Sequence, residues 1–90
     1  MIKNYKIFFT PTCPKCPVMK TFMKDESGLV GEEIDATTED GLEEATKHGI
    51  TAVPTVVLFN IDGIERGRAN SVEEAKRILD NKSLSEIGKN

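Results

Sequence analysis

The sequence predicts an α/β domain in which a four-stranded mixed sheet is flanked by three helices, in the order β-α-β-α-β-β-α. Three observations predict it. Apolar runs of strand length occur at Tyr5–Phe9 and Val53–Phe59. Segments with helical spacing of apolar residues follow the first, second and fourth strand regions. An Asp62-Gly63 pair between apolar runs marks an antiparallel hairpin. Right-handed crossovers then lay the first two helices over the sheet faces, which gives three layers.

Tyr5–Phe9 is rich in aromatic and branched residues and stops at Thr10-Pro11-Thr12, so it reads as a buried strand. From Pro14 to about Asp25, Val18, Met19, Phe22 and Met23 share one helical face, and Ser27-Gly28 ends the helix. Val30–Ala36 is a weaker strand, broken by Glu32-Glu33 and supported mainly by Val30 and Ile34. Thr38 or Asp40 caps a second helix that runs through Lys47, with Leu42 and Ala45 facing inward and His48-Gly49 as its C-terminus. Val53–Phe59 is almost continuously apolar, which suits a central strand covered on both faces. The Asp62-Gly63 turn, whose two central positions favour residues that tolerate positive φ, leads into Ile64–Arg68, an edge strand protected by its charges. Asn70 or Ser71 caps the last helix, Ser71-Val72-Glu73-Glu74 fits a capping box, and Val72, Ala75, Ile78 and Leu79 form the buried stripe. After Asp80 a polar tail is expected over 81–90, in which Leu84 and Ile87 form either a docking turn or part of a frayed end.

Ninety residues with 38% hydrophobic content and a net charge of −3 describe one small domain spanning 1–90. Twelve Lys and Arg are scattered among fifteen Asp and Glu, so no basic surface is expected for nucleic acid. No apolar run approaches the ~20 residues that span a bilayer. The opening MIKNYKIFF starts like a secretory leader, but Lys6 interrupts it and Pro11 follows in place of a small-residue cleavage site. A cytoplasmic protein is expected, in which thiols stay reduced unless they are working.

The chain has two cysteines, Cys13 and Cys16. A bridge closing so short a loop removes little entropy from the unfolded chain, so chemistry explains the pair better than stapling does. Cys13-Pro14-Lys15-Cys16 follows the first strand and opens the first helix, with Cys13 at the expected N-cap. Backbone N–H groups, the helix dipole and Lys15 favour an anion at its sulfur, and thiols so placed have pKa values of roughly 3.5–7.5. Cys16, one turn further in, should be less exposed. Spacing of three puts both sulfurs on one side of the turn, within bonding reach. Cys13 would attack a partner's disulfide, and Cys16 would then attack Cys13 to release the reduced partner. Pro14 suits the first helical position. Pro17 is less usual, since its nitrogen cannot donate to the Cys13 carbonyl. The competing readings are half a zinc site, a pair of inert buried thiols and a permanent disulfide. His48 is the only other soft ligand, so zinc would need a carboxylate or a second chain.

A strand, then Thr10-Pro11-Thr12-Cys13-Pro14-Lys15-Cys16 at a helix start, then Val53-Pro54 before an apolar strand and an Asp-Gly hairpin, resembles the thioredoxin superfamily over about residues 2–80. The resemblance implies the thioredoxin-like fold, Cys13 and Cys16 as catalytic residues, and a cis Val53–Pro54 bond with Pro54 against the cysteines. Pro14 and Lys15 would support the motif, and Thr12, Val53 and Pro54 would bind substrate. An extended substrate segment could pair with the Val53 backbone, which makes recognition largely independent of side chains. Within the superfamily the chain is similar to glutaredoxin-like and small thioredoxin-like redoxins. Ile7 stands where thioredoxins bury an aspartate, and Gly67-Arg68-Ala69-Asn70-Ser71 lacks the second glycine and the acids with which glutaredoxins hold glutathione. The resemblance therefore implies a monomer with no bound cofactor or metal, working through a reversible Cys13–Cys16 disulfide. Its partners would be disulfide-containing proteins, ribonucleotide reductase being one candidate, and a flavin-dependent thioredoxin reductase as electron donor. The alternatives are a glutathione-dependent glutaredoxin and a noncatalytic module holding metal or an iron-sulfur cluster.

The remaining features have structural readings. His48 suits a helix C-terminus, Arg66 and Arg68 protect an edge strand, and Met19 and Met23 are core residues. Asp35, Glu39-Asp40 and Glu43-Glu44 form a solvated face.

Overall fold

The computed structural model describes residues 2–88, with the side chains of residues 2–80. Seven elements run in the expected order: β1 (Ile2–Phe9), α1 (Cys16–Glu26), β2 (Val30–Asp35), α2 (Glu39–Lys47), β3 (Thr55–Asn60), β4 (Glu65–Ala69) and α3 (Val72–Gly88). The sheet order is β2-β1-β3-β4, with β1 and β2 parallel and the other two pairings antiparallel. Among the described residues no helix is long and apolar enough to cross a membrane.

Alternation along the central strands divides the core into two layers. Tyr5, Ile7, Val56 and Leu58 face α1 and α3, where they meet Met19, Phe22, Met23 and Ala75. Phe8, Val57 and Phe59 face the other way and pack with Ile34 and with Ala45 of α2. Phe8, Val56, Val57 and Leu58 are fully buried, as a strand pair covered on both faces requires.

Helix ends follow their local chemistry. Thr38 caps α2 by accepting from the Gly41 N–H at 2.9 Å, so it, not Asp40, starts that helix. At the other end the Gly49 and Ile50 N–H groups donate to Thr46 and Ala45, with Gly49 at φ 67°, the paired-bond C-terminus that glycine permits. Asp35 locks the turn between β2 and α2: its carboxylate accepts from the Thr37 hydroxyl and N–H, and those bonds hold the carboxyl below its usual range.

Several expectations are corrected. The strand β1 begins at Ile2, and α3 extends past Asp80 to Gly88. The docking turn assigned to Leu84 and Ile87 falls outside the described side chains. Val18 and Leu42 are exposed, not buried. Gly41 lies so close to the Asp35 carbonyl that it fixes the rotation of α2, which turns Ala45 inward and Leu42 out. The hairpin also differs from a two-residue turn. Asn60 and Ile64 close it, only Gly63 has positive φ, and the Asn60 side chain accepts from the Asp62 and Ile64 N–H groups in support. One left-handed residue suffices for this longer loop, so Asp62 stays in an ordinary conformation.

Candidate active site

The dithiol sits where β1 gives way to α1. Phe9 ends the strand, the Cys13 N–H donates to the Thr10 carbonyl at 3.2 Å, and the chain turns into the helix. Cys13 and Cys16 form a disulfide with their Cα atoms 5.4 Å apart. Their environments differ: Cys13 is partly exposed, while Cys16 is 1% exposed at the first position of α1. Pro14, Lys15 and Thr12 are exposed around them.

The helix begins later than Pro14, and its N-cap is Lys15, without a side-chain capping bond. Pro17 explains this. The bond that would start the helix at Cys13 needs an N–H at residue 17, which proline lacks, and the first bond instead joins the Met19 N–H to the Lys15 carbonyl. Cys13 therefore lies one turn ahead of the helix, at its positive end, and not at the cap itself.

A groove of about 280 Å³ borders the dithiol turn, lined by Pro14, Lys15, Val18 and Met19 on one side and Pro54, Asn70 and Val72 on the other. The Val53–Pro54 peptide is cis and Pro54 is buried. The structure thus brings Pro14, Lys15 and Pro54 to one groove, while Thr12 and the half-buried Val53 do not line it. Neither the N–H nor the C=O of Val53 has a backbone partner among the described residues.

Beneath the dithiol the core is apolar. Ile7 is 1% exposed and Thr55 is the one buried polar residue, so among the described residues no carboxylate is enclosed. His48 is engaged elsewhere, with its ring against Phe8 and Phe59 and 3.2 Å from Glu44. Among the described residues no group of three His, Cys, Asp or Glu is placed to hold a metal ion. Arg68 bonds Glu65 and the His48 carbonyl, which ties the edge strand to the end of α2 and raises the guanidinium pKa through the carboxylate.

The sequence did not reveal three groove residues. Local pattern places Val18 in the core, Val72 in the helix stripe and Asn70 at a cap. Their joint position depends on α1 and α3 meeting beside Pro54, a contact between segments more than fifty residues apart that no local pattern carries.

The sequence model of the thioredoxin domain family matches residues 3–80. A protein named "Probable Thioredoxin" in Archaeoglobus fulgidus is 40% identical over 59% of this chain and 62% of its own length, so the chain spans less than two thirds of that relative. Oxidised thioredoxin O2 from Arabidopsis thaliana superposes with a TM-score of 0.70 at 15% identity, over 92% of this chain and 75% of that one. Thioredoxin 1 from Thermosipho africanus gives 0.67 at 18% identity, over 97% and 99% of the two chains.

Proposed function

The chain belongs to the thioredoxin family, and from that premise we propose that it is a thiol-disulfide oxidoreductase that reduces protein disulfides through Cys13 and Cys16. The observation that carries the reading is the unequal burial of the two cysteines: Cys13 is partly exposed, while Cys16 is buried.

In the reduced protein the Cys13 thiolate attacks one sulfur of a partner's disulfide. A mixed disulfide forms and the partner's other sulfur leaves as a thiolate, which takes up a proton. Cys16 then loses its proton and attacks the Cys13 sulfur, so the second partner sulfur leaves and the internal bridge closes. Two electrons have passed from the cysteine pair to the partner. Lys15 and the N-terminal end of α1 favour the Cys13 thiolate, and Pro14 restrains the turn between the sulfurs. The Val53 backbone, without a backbone partner among the described residues, offers an edge on which an extended partner segment can pair beside Pro54, with Thr12 as a further candidate for binding that segment. The reading includes a cytoplasmic monomer without bound cofactor, with ribonucleotide reductase among the candidate partners.

Restoring the dithiol requires an electron donor, and a flavin-dependent thioredoxin reductase fits better than glutathione. The stretch Gly67-Arg68-Ala69-Asn70-Ser71 supplies no carboxylate for the amino group of the tripeptide, and Arg68 is already committed to Glu65. The oxidised protein is expected to be reduced by NADPH with such a reductase and to turn over insulin disulfides in that mixture. Rapid reduction by glutathione alone would overturn the donor assignment. Failure to reduce insulin even after chemical reduction of the dithiol would overturn the activity.

A further inference from the structure

Asn70 lies in the short connection between β4 and α3, and the exchange steps above leave its side chain unused. The side-chain amide donates to the Pro54 carbonyl at 3.2 Å and to the Thr55 hydroxyl at 2.8 Å. Thr55 extends the chain of bonds, since its hydroxyl donates to the Ala52 carbonyl at 2.6 Å. The Thr55 hydroxyl thereby closes the turn from Ala52 to Thr55, which contains Val53, and the carboxamide holds that turn at its Pro54–Thr55 end.

That carboxamide is held in advance. The Asn70 N–H donates to the Glu74 carboxylate at 2.6 Å, and the Glu74 N–H donates to the Ser71 hydroxyl at 3.1 Å. Ser71 already supplies the cap of α3, so the helix does not need the Asn70 amide. The amide instead ties the start of β3 to the connection before α3 along one side of the groove, on a residue that is itself exposed to an arriving partner.

We propose that Asn70 is a positioning residue for protein substrates, fixing the Val53 backbone relative to Cys13 so that an extended segment docks in register for attack. The proposal rests on the reading of the chain as a protein-disulfide reductase. Asn70 touches neither sulfur, so its removal acts on docking and leaves the thiol chemistry alone. A small disulfide that pairs with no backbone does not sense the change.

The test compares Asn70→Ala, which removes the carboxamide, with Asn70→Leu, which keeps its size and removes both N–H donors without adding charge. KM and kcat are measured for insulin with dithiothreitol as reductant, alongside single-turnover reaction of the reduced protein with 5,5′-dithiobis(2-nitrobenzoate). Both variants should raise KM for insulin roughly five- to tenfold, the range that one or two lost hydrogen bonds produce. Both kcat and the small-disulfide rate should change by less than about twofold, as uniform binding effects do. An unchanged KM, a parallel fall in the insulin and small-disulfide rates, or loss of folding in both variants would overturn the proposal. If the wild type reduces the small disulfide but not insulin, the protein-reductase reading fails first. If the wild type reduces insulin and the variants match it, only the role of Asn70 fails.

Discussion

Replacing Cys13 with serine is expected to bring insulin reduction down to the uncatalysed background, a loss of roughly three orders of magnitude or more. A serine hydroxyl is not ionised near neutral pH and forms no mixed disulfide, so the first bond of the cycle cannot form. The substitution should leave the fold intact. Cys13 is partly exposed and makes its backbone bond to Thr10 whatever its side chain is, and the Cys16 side chain stays in place beneath it. Thermal melts of the variant and of the reduced wild type, both without the bridge, check this. Activity retained by a folded Cys13→Ser protein would remove the nucleophile from the account.

The largest expected effect on stability comes from a residue with no part in the chemistry. Gly41→Ala should destabilise the domain by about 3 kcal/mol, at the upper end of overpacking costs. A Cβ there would fall inside the Asp35 carbonyl oxygen and within 2.7 Å of the carbonyl carbon. The obstacle is backbone, and it cannot swing aside, because the Thr38 N–H and hydroxyl both donate to that carbonyl while the Asp35 carboxylate is bonded by Thr37. For a domain of this size the change corresponds to a Tm lower by roughly 12–24 °C. Gly49→Ala is the comparison: it has open space and pays only for positive φ, so about 1 kcal/mol is expected. A Gly41→Ala melt no lower than that of Gly49→Ala would contradict this description of the β2–α2 turn.

Elements with strong local signals were legible in the sequence. The apolar runs located β1 and β3, the Met19-Phe22-Met23 face located α1, and His48-Gly49 located the end of α2. Boundaries were less legible, for identifiable reasons. Pro17 delays the start of α1 by withholding one N–H, and the Asn60 side chain stabilises a longer hairpin than Asp62-Gly63 suggests. Leu42 shows how a tertiary constraint overrides a helical pattern, because the contact between Gly41 and Asp35 sets which face of α2 turns inward. At the site, the two cysteines were legible from type and spacing, and Pro54 only through the family resemblance that Val53-Pro54 helps to carry. The Asn70–Thr55 bond was not, since it depends on the register of β4 on β3, in which Val56 pairs with Ala69 and sets Thr55 beside Asn70.

The claim on which the account turns is the division of labour between a partly exposed attacking cysteine and a buried resolving one. Cys16→Ser tests it most directly. The reduced variant is mixed with insulin, quenched in acid, and mapped by mass spectrometry of its nonreduced peptides. The account predicts a mixed disulfide that accumulates at Cys13 and persists, because no second thiol is present to release it. Absence of any adduct at Cys13 in the folded variant, or multiple turnovers at the wild-type rate, would contradict it.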